Sequence, residues 1–392
     1  MLSVCSPNLF SQIFMNKIRL LHIVQCAGGV DHYLRMLLAH MDKNRFVQIL
    51  ICSFDYSQDQ YQGLADEFVQ IEMCNSLSLV EDIKTVHRIH LLIKHYHPDI
   101  IYCHSSKAGG IGRIANIGTG IPLVYNPHGW AFNMKGTRLK SLIYLWLERL
   151  LSPLTTQYVT ISNYEKLSAI QNRVAKADKM KVIFNGIDIE AVDENVSSST
   201  VTRASLNIPD DAYLIGMVGR ISEQKAPDTF IRVAAVLRDM IPNAYFMIVG
   251  DGDQRHEIEQ LIKDLGLAGR VMITGWVNNP IAYSRLFDQA MLLSRWEGFG
   301  LVLVEYMQLG KPVVATEVDA IPDLIVDHEN GLLVEMDNVG QTVNAVKEIM
   351  KDDKLRSKLI ANGRMRAKAF FNVRRVAGEH NSLFLKIYSH LR

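Results

Sequence analysis

Two glutamates, Glu297 and Glu305, stand eight positions apart in the run EGFGLVLVE, directly after a short apolar segment of residues 290–294. The glycine-rich turn between this strand-like segment and an amphipathic helix leaves backbone N–H groups free at the start of the helix, where the helix dipole favours an anionic phosphate. The two flanking carboxylates are suited to accept hydrogen bonds from sugar hydroxyls. The alternative is an ordinary first-turn acid followed by a solvated helix residue, and the run alone does not exclude it.

Two cations follow another apolar run, residues 214–219. Arg220 and Lys225 lie five residues apart on the loop GRISEQKAP. Beyond a strand end they could neutralise a diphosphate, the arginine through its planar fork and the lysine as a point charge. A surface loop with solvated charges is the alternative. The similar placement of the EGFG run after a later strand favours binding.

Glycines mark three other strand-end turns. Gly28 and Gly29 follow the first apolar run and lead into a helix that we expect to begin near Asp31. They permit close approach of a phosphate or sugar, but they lack the Gly-x-Gly-x-x-Gly spacing of dinucleotide binders, which disfavours nicotinamide chemistry. Gly250 in the turn GDGDQR and Val277 after the turn TGW are weaker candidates, because plain strand-to-helix turns explain them equally well.

A histidine, His128, lies just past residues 123–126 in the sequence PHGW. At a strand's carboxyl end, on a glycine-hinged turn, it could contribute a hydrogen bond or a proton near neutral pH. A histidine satisfied by backbone groups in the turn is the alternative. A group of four further histidines, His87, His90, His95 and His97, has a spacing that suits a solvated helix followed by a loop rather than zinc ligation, so no metal site is predicted.

The segment from Lys135 to Pro153 mixes basic residues with leucine, isoleucine, tyrosine and tryptophan at helical spacing. Its cations are Lys135, Arg138, Lys140 and Arg149. A basic helix with an aromatic-rich face predicts contact with anionic lipid headgroups at a membrane surface. An internal helix with a basic outer face explains the pattern nearly as well.

Length and composition limit the possible classes of protein. The 392 residues favour two domains, and the formal charge of +1 gives no general excess with which to hold nucleic acid. Five cysteines without a Cys-x-x-Cys pair favour a reducing cytoplasm. The chain shows neither a bilayer-spanning apolar stretch nor a signal-peptide pattern, and Met15 is a possible start because the first strand begins only at Ile18.

Short apolar runs, each followed by a helical pattern, position all of these motifs. The first series covers residues 18–25, 47–53, 100–104, 123–126, 158–161 and 182–184, and the second covers residues 214–219, 245–250, 271–274, 291–294, 312–315 and 332–334. Continuous hydrophobicity is typical of strands buried on both faces of a parallel sheet. The pattern predicts an α/β protein of two doubly wound, Rossmann-like domains, which bind ligands beyond the carboxyl ends of their strands.

In chain order these motifs resemble the retaining glycosyltransferases of family 4, of the bacterial polysaccharide and glycolipid type. The resemblance covers nearly all of residues 17–392 and rests on the paired glycines, HSSKAGGIGR, NPHGW, VIFNGID, the loop of Arg220 and Lys225, Gly-Asp-Gly and Glu-x7-Glu. It implies the GT-B fold, with two Rossmann-like domains facing a central cleft. Family members usually have glycine after the lysine, whereas this chain has Ala226, so the resemblance is weakest at that point.

The resemblance implies a domain plan. Residues 1–16 would be an extension outside the fold, residues 17–190 an acceptor-side domain, and residues 191–370 a domain that binds the nucleotide-sugar. Residues 371–392 would form a helix that packs back on the first domain. The polar stretch 188–211 is expected to connect the two domains and to be partly helical.

The resemblance also implies a role for each site residue. Arg220 and Lys225 would bind the donor diphosphate, Glu297 the transferred sugar, Glu305 the ribose, and the turn around Val277 the base. The remaining donor-site positions would be Gly219, Gly250, Gly298, Phe299, Gly300 and Leu301. On the opposite domain, Gly28 and Gly29 would approach phosphate and acceptor, and His128 would meet the sugar.

The reaction implied by the family is a transfer with retention of anomeric configuration. The donor's diphosphate would leave under stabilisation by Arg220, Lys225 and helix N–H groups, and the acceptor hydroxyl would attack from the same face. Domain closure would exclude water. Neither a metal nor a cofactor is expected.

The implied substrates are a nucleotide-sugar, with UDP the nucleotide that the family uses most, and a lipid-linked or polysaccharide acceptor. A polyprenyl-diphosphate-linked glycan at the cytoplasmic face would suit the basic helix, so we expect a cytoplasmic protein held peripherally at the inner face of the membrane. A nucleotide-sugar epimerase of the same fold and a non-catalytic partner subunit remain as alternatives.

Overall fold

The computed structural model describes residues 17–25, 28–73, 78–134 and 137–391. Contacts divide the chain into two compact units. The first unit contains described residues up to 127, together with residues 138–158 and 378–391. The second unit contains residues 128–137, except for 135 and 136, and residues 159–377. The expected extension 1–16 lies outside the described residues, and the predicted domain boundaries stay predictions.

The amino-terminal half contains a sheet with the strand order β3-β2-β1-β4-β5-β6-β7. Neighbouring strands from β3 to β6 pair in parallel. The strands are β1 (Ile18–Val24), β2 (Phe46–Cys52), β3 (Glu67–Gln70), β4 (Ile100–His104), β5 (Leu123–Asn126), β6 (Gln157–Thr160) and β7 (Met180–Val182). The helices that connect them are α1 (Gly29–His40), α2 (Leu79–Tyr96), α3 (Ser106–Ala115), α4 (Arg138–Leu151) and α5 (Asn163–Gln171), and α6 (Ile189–Ser197) follows β7.

The second unit contains a parallel sheet with the order β10-β9-β8-β11-β12-β13. Its strands are β8 (Tyr213–Val218), β9 (Ala244–Val249), β10 (Val271–Ile273), β11 (Gln289–Leu292), β12 (Val313–Thr316) and β13 (Leu332–Val334). The later helices are α7 (Pro227–Met240), α8 (Arg255–Asp264), α9 (Pro280–Ser284), α10 (Leu301–Gln308), α11 (Ile321–Leu324), α12 (Val339–Lys351), α13 (Asp353–Phe370) and α14 (Val373–Ser389).

Successive strand residues in the second unit point into different hydrophobic clusters. Leu214 and Met247 belong to one cluster, whereas their neighbours Ile215 and Ile248 belong to another. Both faces of the sheet are therefore covered. This two-sided burial is the physical reason why the strands read as continuous apolar runs.

The predicted α/β class with two doubly wound sheets is confirmed, and the strand positions differ from the predicted ones in a few places. The strand β3 was not predicted, because its sequence EFVQ is short and half polar and it lies at the sheet edge. The strand expected at residues 182–184 begins at Met180. The helix α1 begins at Gly29 rather than near Asp31. In the polar stretch 188–211, the side chain of Asp188 caps α6.

The carboxyl-terminal half of α14 packs into the first unit. His380 Nε2 hydrogen-bonds the hydroxyls of Tyr33 at 3.1 Å and Tyr102 at 3.0 Å. The ring of Phe384 contacts those of Phe46 and Tyr102. All five residues are buried. Among the described residues, no helix combines the length and the apolar character that crossing a bilayer requires.

Candidate functional site

The predicted donor-site residues lie on loops at the carboxyl ends of β8, β9 and β11. After β8 and β9 come Gly219 and Gly250, and the two turns touch. Gly250 has φ 147°, and a Cβ atom at this position would lie 2.1 Å from the carbonyl oxygen of Gly219. Only glycine fits here, so the GDG turn is needed to bring these two strand ends together.

A short turn after β8 directs Lys225 toward Glu297. Residues Glu223–Lys225 form one turn of 3₁₀ helix, and Ala226 then adopts a left-handed conformation with φ 48° before Pro227 opens α7. The loop thus keeps a left-handed turn despite the alanine. The aliphatic part of the Lys225 side chain lies over Gly219, where a Cβ atom would meet it at 3.4 Å.

The Glu297 carboxylate is buried and has two partners. The Lys225 ammonium forms an ion pair with its Oε2, and Ser294 Oγ donates to the same oxygen at 3.1 Å. The backbone N–H of Glu297 donates to Asp319 Oδ2 at 2.9 Å. Side chain and backbone of this glutamate are therefore both fixed. The ion pair also shows that the structure brings together two residues that the sequence predicted as a site.

An arginine beside this glutamate, Arg295, joins the two loops. Its side chain donates to Asp228 at 2.7 Å and to Asp337 at 2.9 Å. Its backbone N–H donates to the carbonyl of Gln224 at 2.8 Å, and its guanidinium reaches the carbonyl of Glu223 at 3.1 Å. Since Glu223 and Gln224 directly precede Lys225, Arg295 holds the lysine loop against the glutamate loop.

The second predicted cation, Arg220, is exposed on the same loop as Lys225. In the part of the chain that the structure describes, no carboxylate forms an ion pair with its guanidinium. A positive charge with no internal partner is available to an anionic ligand at this strand end.

The EGFG turn ends at the start of α10. Gly300 caps this helix with φ 87°, a left-handed value that glycine adopts without strain. Phe299 is buried and contacts the rings of Phe184 and Phe371, which anchors the turn. Gly298 is exposed, and Leu301 is the first helical residue. The first N–H groups of α10 lack intrahelical acceptors, as at every helix start.

Glu305 lies on α10 and differs from Glu297 in its surroundings. Its side chain is partly exposed, and no hydrogen bond to its carboxylate exists among the described residues. Burial raises the pKa of this carboxyl from 4.5 to about 7. The carboxyl oxygens of Glu305 can therefore accept hydrogen bonds from a ligand at the protein surface.

The turn expected to hold the base follows β10. Gly275 has φ 73°, Trp276 is exposed, and Val277 packs on the hydrophobic core of the second unit. The side chain of Arg255 runs beneath the turn and donates to Asp251 at 2.7 Å. Val277 thus offers its backbone and a small apolar surface.

The turn that carries His128 is anchored to the start of α5. His128 itself has φ 51°, and the indole nitrogen of Trp130 donates to the carbonyl of Glu165 at 2.9 Å. Ser162 accepts from the Glu165 N–H at 3.0 Å, and the Glu165 carboxylate accepts from Ile161 N–H at 3.0 Å. This reciprocal arrangement is a variant of the capping box. The turn of His128 is thus held by the start of α5.

Gly28 and Gly29 lie in the first unit, whereas the residues predicted to bind the donor lie in the second. Both glycines are exposed, and Gly28 caps α1 with φ 100°. The roles predicted for them stay predictions.

Sequence reasoning missed three residues that hold this site together. Ser294 and Arg295 immediately precede the EGFG run, and their position within SRWEGFG was an available signal. Asp319 carried no local signal, because it follows β12 and reaches Glu297 only in the folded chain.

Within the described ranges, no three or more histidine, cysteine, aspartate or glutamate side chains are grouped so that they could hold a metal ion. Metal independence of the reaction stays a prediction.

Comparison with known proteins adds two family matches. Residues 27–191 match the model described as Glycosyltransferase Family 4, and residues 198–366 match the model described as Glycosyl transferases group 1. Together the two matches span most of the chain.

Similar curated proteins come from bacterial surface-polysaccharide systems. The chain is 28% identical over 369 residues to an Escherichia coli UDP-Gal:alpha-D-GlcNAc-diphosphoundecaprenol alpha-1,3-galactosyltransferase, covering 91% of this chain and 94% of that protein. It is 30% identical over 353 residues to an uncharacterized 41.2 kDa protein in the cps region of Klebsiella pneumoniae, covering 86% and 89%.

Among solved structures, Anabaena HepE in complex with UDP and glucose has a TM-score of 0.79 and 22% sequence identity, with coverage of 94% of this chain and 99% of that chain. The likeness confirms the fold.

Proposed function

The chain belongs to glycosyltransferase family 4, and we propose that it moves a sugar from a UDP-sugar to a hydroxyl of a polyprenyl-diphosphate-linked or polysaccharide acceptor in cell-surface polysaccharide biosynthesis. The observation that carries this proposal is the Lys225–Glu297 pair beside the start of α10. The pair supplies a cation and a carboxylate, and the start of α10 supplies backbone N–H groups without intrahelical acceptors. Binding of a diphosphate-linked sugar requires all three kinds of group. The Escherichia coli relative, whose name states a UDP-sugar donor and a diphosphoundecaprenol acceptor, supports both substrate classes.

In this proposal the donor diphosphate binds between Arg220, Lys225 and the first N–H groups of α10. The lysine ammonium has three donors and, among the described residues, forms an ion pair with one carboxylate, so it has capacity for a phosphate oxygen as well. No ion pair within the same ranges occupies the guanidinium of Arg220. The helix start adds a partial positive charge.

The two glutamates act on different parts of the donor. Glu297, held by Ser294, Lys225 and Asp319, presents its carboxylate to hydroxyls of the transferred sugar. Glu305, which has no internal partner among the described residues, accepts from the ribose hydroxyls. Their different surroundings fit two separate ligand roles rather than an acid/base pair.

Transfer then proceeds with retention. The bond between the anomeric carbon and the diphosphate oxygen breaks while the acceptor oxygen bonds to the same carbon from the same face. The acceptor's proton passes to the departing phosphate oxygen, and UDP leaves. Arg220 and Lys225 stabilise the charge that develops on the phosphate, and we propose that neither a metal nor a cofactor takes part.

Membrane contact through α4 is part of the proposal. The helix turns its only acid inward, where Glu148 forms a buried ion pair with Arg113 at 2.9 Å and accepts from the Tyr125 hydroxyl at 3.0 Å. Its outer face carries large apolar side chains: Leu139, Leu142, Ile143, Trp146 and Leu150. The basic residues Arg138, Lys140 and Arg149 are exposed as well. An apolar outer face bordered by cations fits an anionic lipid surface at the inner face of the membrane, where a polyprenyl-linked acceptor would be found.

The test is to incubate the protein with UDP-sugars, with and without a polyprenyl-diphosphate-linked glycan, and to analyse the lipid product and the nucleotide sugar. We expect a glycosylated lipid whose new anomeric proton has the donor's configuration, and unchanged yield in the presence of EDTA. Conversion of the nucleotide sugar without acceptor would instead support the epimerase alternative, which the named relatives do not favour. An inverted product or an EDTA-sensitive yield would overturn retention or metal independence.

A further inference from the structure

Asp319, on the loop after β12, holds the backbone at the centre of the donor site. Its Oδ2 accepts from the N–H of Glu297 at 2.9 Å. Its own backbone is left-handed, with φ 46°, a conformation that residues other than glycine adopt uncommonly. The chain therefore maintains an unfavourable backbone geometry at a residue whose carboxylate reaches the site glutamate.

The helix that follows this loop is attached to the start of α5. Asp323 of α11 accepts from the backbone N–H of Asn163 at 2.7 Å and from its side-chain amide at 3.0 Å. Burial and the nearby negative charge of Asp319 raise the pKa of the Tyr164 hydroxyl to about 12. The β12 loop and α11 therefore lie close to the start of α5.

That start of α5 is also where the histidine turn is fixed. Glu165, the residue after Tyr164, accepts the indole N–H of Trp130 at 2.9 Å. The start of α5 therefore contacts both α11, through Asp323, and the turn of His128, through Trp130. All of these residues belong to the second unit.

We propose that Asp319 is a positioning residue of the transfer site, which fixes Glu297 toward the donor sugar. This inference rests on the proposed function. Asp319 acts on the sugar through Glu297 and does not itself contact phosphate or base. Its removal should therefore change sugar transfer more than nucleotide binding.

The test compares Asp319→Gly with Asp319→Asn. Glycine adopts the left-handed backbone without strain, so D319G removes the carboxylate and leaves the local chain geometry available. Asparagine keeps a side-chain oxygen for the Glu297 N–H and also tolerates this conformation, so D319N is the conservative rescue.

We expect D319G to lower kcat about tenfold or more, because a hydrogen bond to a charged group is lost at the residue that positions the sugar. The affinity for UDP, measured by calorimetry, should change less than twofold, and D319N should recover kcat to within about threefold of the wild type. Thermal melting of each variant reports whether it is folded.

Three results would overturn the inference: a D319G kcat equal to that of the wild type, an equal loss of UDP affinity and kcat, or a D319N variant as slow as D319G. These results leave the proposed function intact if the wild type transfers sugar. A wild-type protein that neither binds a UDP-sugar nor transfers it would overturn both proposals.

Discussion

At the scale of single residues, environment separates two glutamates that look alike in sequence. Glu297 is buried and fixed by Lys225, Ser294 and Asp319, whereas Glu305 has no side-chain partner among the described residues. The sequence placed both acids at one donor site but could not distinguish them in this way. The difference depends on which loops fold against the EGFG run.

The substitution Lys225→Ala tests the diphosphate role. We expect kcat to fall at least a hundredfold and donor affinity to weaken, because the variant loses a charge at the developing phosphate and leaves the Glu297 carboxylate without its cation. Steady-state kinetics and UDP calorimetry measure the two effects. Arg232→Ala, which removes an exposed cation from α7, is the matched control and should retain full activity. Unchanged turnover in K225A would contradict the assignment.

The raised pKa of Glu305 predicts a pH dependence of donor binding. Burial places the pKa at about 7 in the free protein, so protonation below pH 7 removes the charge that the ribose hydroxyls would contact. Donor affinity should fall by up to tenfold per pH unit as the pH drops below 7, and stay level above it. Donor affinity falls at low pH because the donor prefers the ionised form of Glu305, and a proton must leave the carboxylate before the donor binds.

Calorimetry with an intact UDP-sugar between pH 5.5 and 8.5 measures this dependence, because the doubly substituted diphosphate does not titrate there. The variant Glu305→Gln keeps an acceptor oxygen but has no ionisation, so its affinity should be nearly independent of pH. A wild-type profile as flat as that of E305Q would show that Glu305 does not face the donor.

At the scale of elements, prediction from sequence succeeded where burial is two-sided. The strands of the second unit are continuous apolar runs in the sequence because both faces of the sheet are covered. The loops of Lys225 and Glu297 follow the carboxyl ends of these strands, as predicted. The edge strand β3 was missed because EFVQ has neither a long apolar run nor strict alternation. Contacts such as those of Arg295 and Asp319 join loops that are distant in the chain, and no local pattern reports them.

The loop connection made by Arg295 gives a prediction at this scale. In Arg295→Met the ion pairs with Asp228 and Asp337 are lost while much of the side-chain volume remains. We expect the free energy of unfolding to fall by about 1–3 kcal/mol and kcat to fall several-fold, because the Lys225 loop loses its attachment to the Glu297 loop. Urea denaturation and steady-state kinetics measure the two quantities.

The control for this variant is Arg356→Met, which removes the exposed pair of Arg356 with Asp353 on α13. An exposed pair of this type contributes little, so R356M should match the wild type in both measurements. If R295M lost stability and kept its full kcat, Arg295 would support the fold without positioning the lysine.

At the scale of the whole molecule, α4 departs from the usual division between apolar inside and polar outside. Leu139 is 69% exposed and Trp146 is 62% exposed, while Glu148 is buried with Arg113. Exposed apolar side chains grouped on one face mark an interaction surface more often than a solvated one. The sequence predicted a basic amphipathic helix in this segment but left an internal helix as an alternative. The exposed apolar face favours the surface role, and Lys135 lies outside the described residues.

Sedimentation with vesicles tests this surface. We expect the protein to bind vesicles that contain phosphatidylglycerol more strongly than vesicles of phosphatidylcholine alone, and less strongly as salt is raised. Reversing two cations with Arg138→Glu and Lys140→Glu should weaken binding to the anionic vesicles at least tenfold, since each basic residue near such a surface contributes about 1 kcal/mol. Trp146→Ser should weaken binding without changing its salt dependence, because it removes apolar contact and no charge.

The matched control is Trp276→Ser, which removes a similarly exposed tryptophan from the second unit and should bind like the wild type. If the charge-reversed protein and W146S both sediment like the wild type, α4 is not the membrane surface and its apolar face must serve another contact.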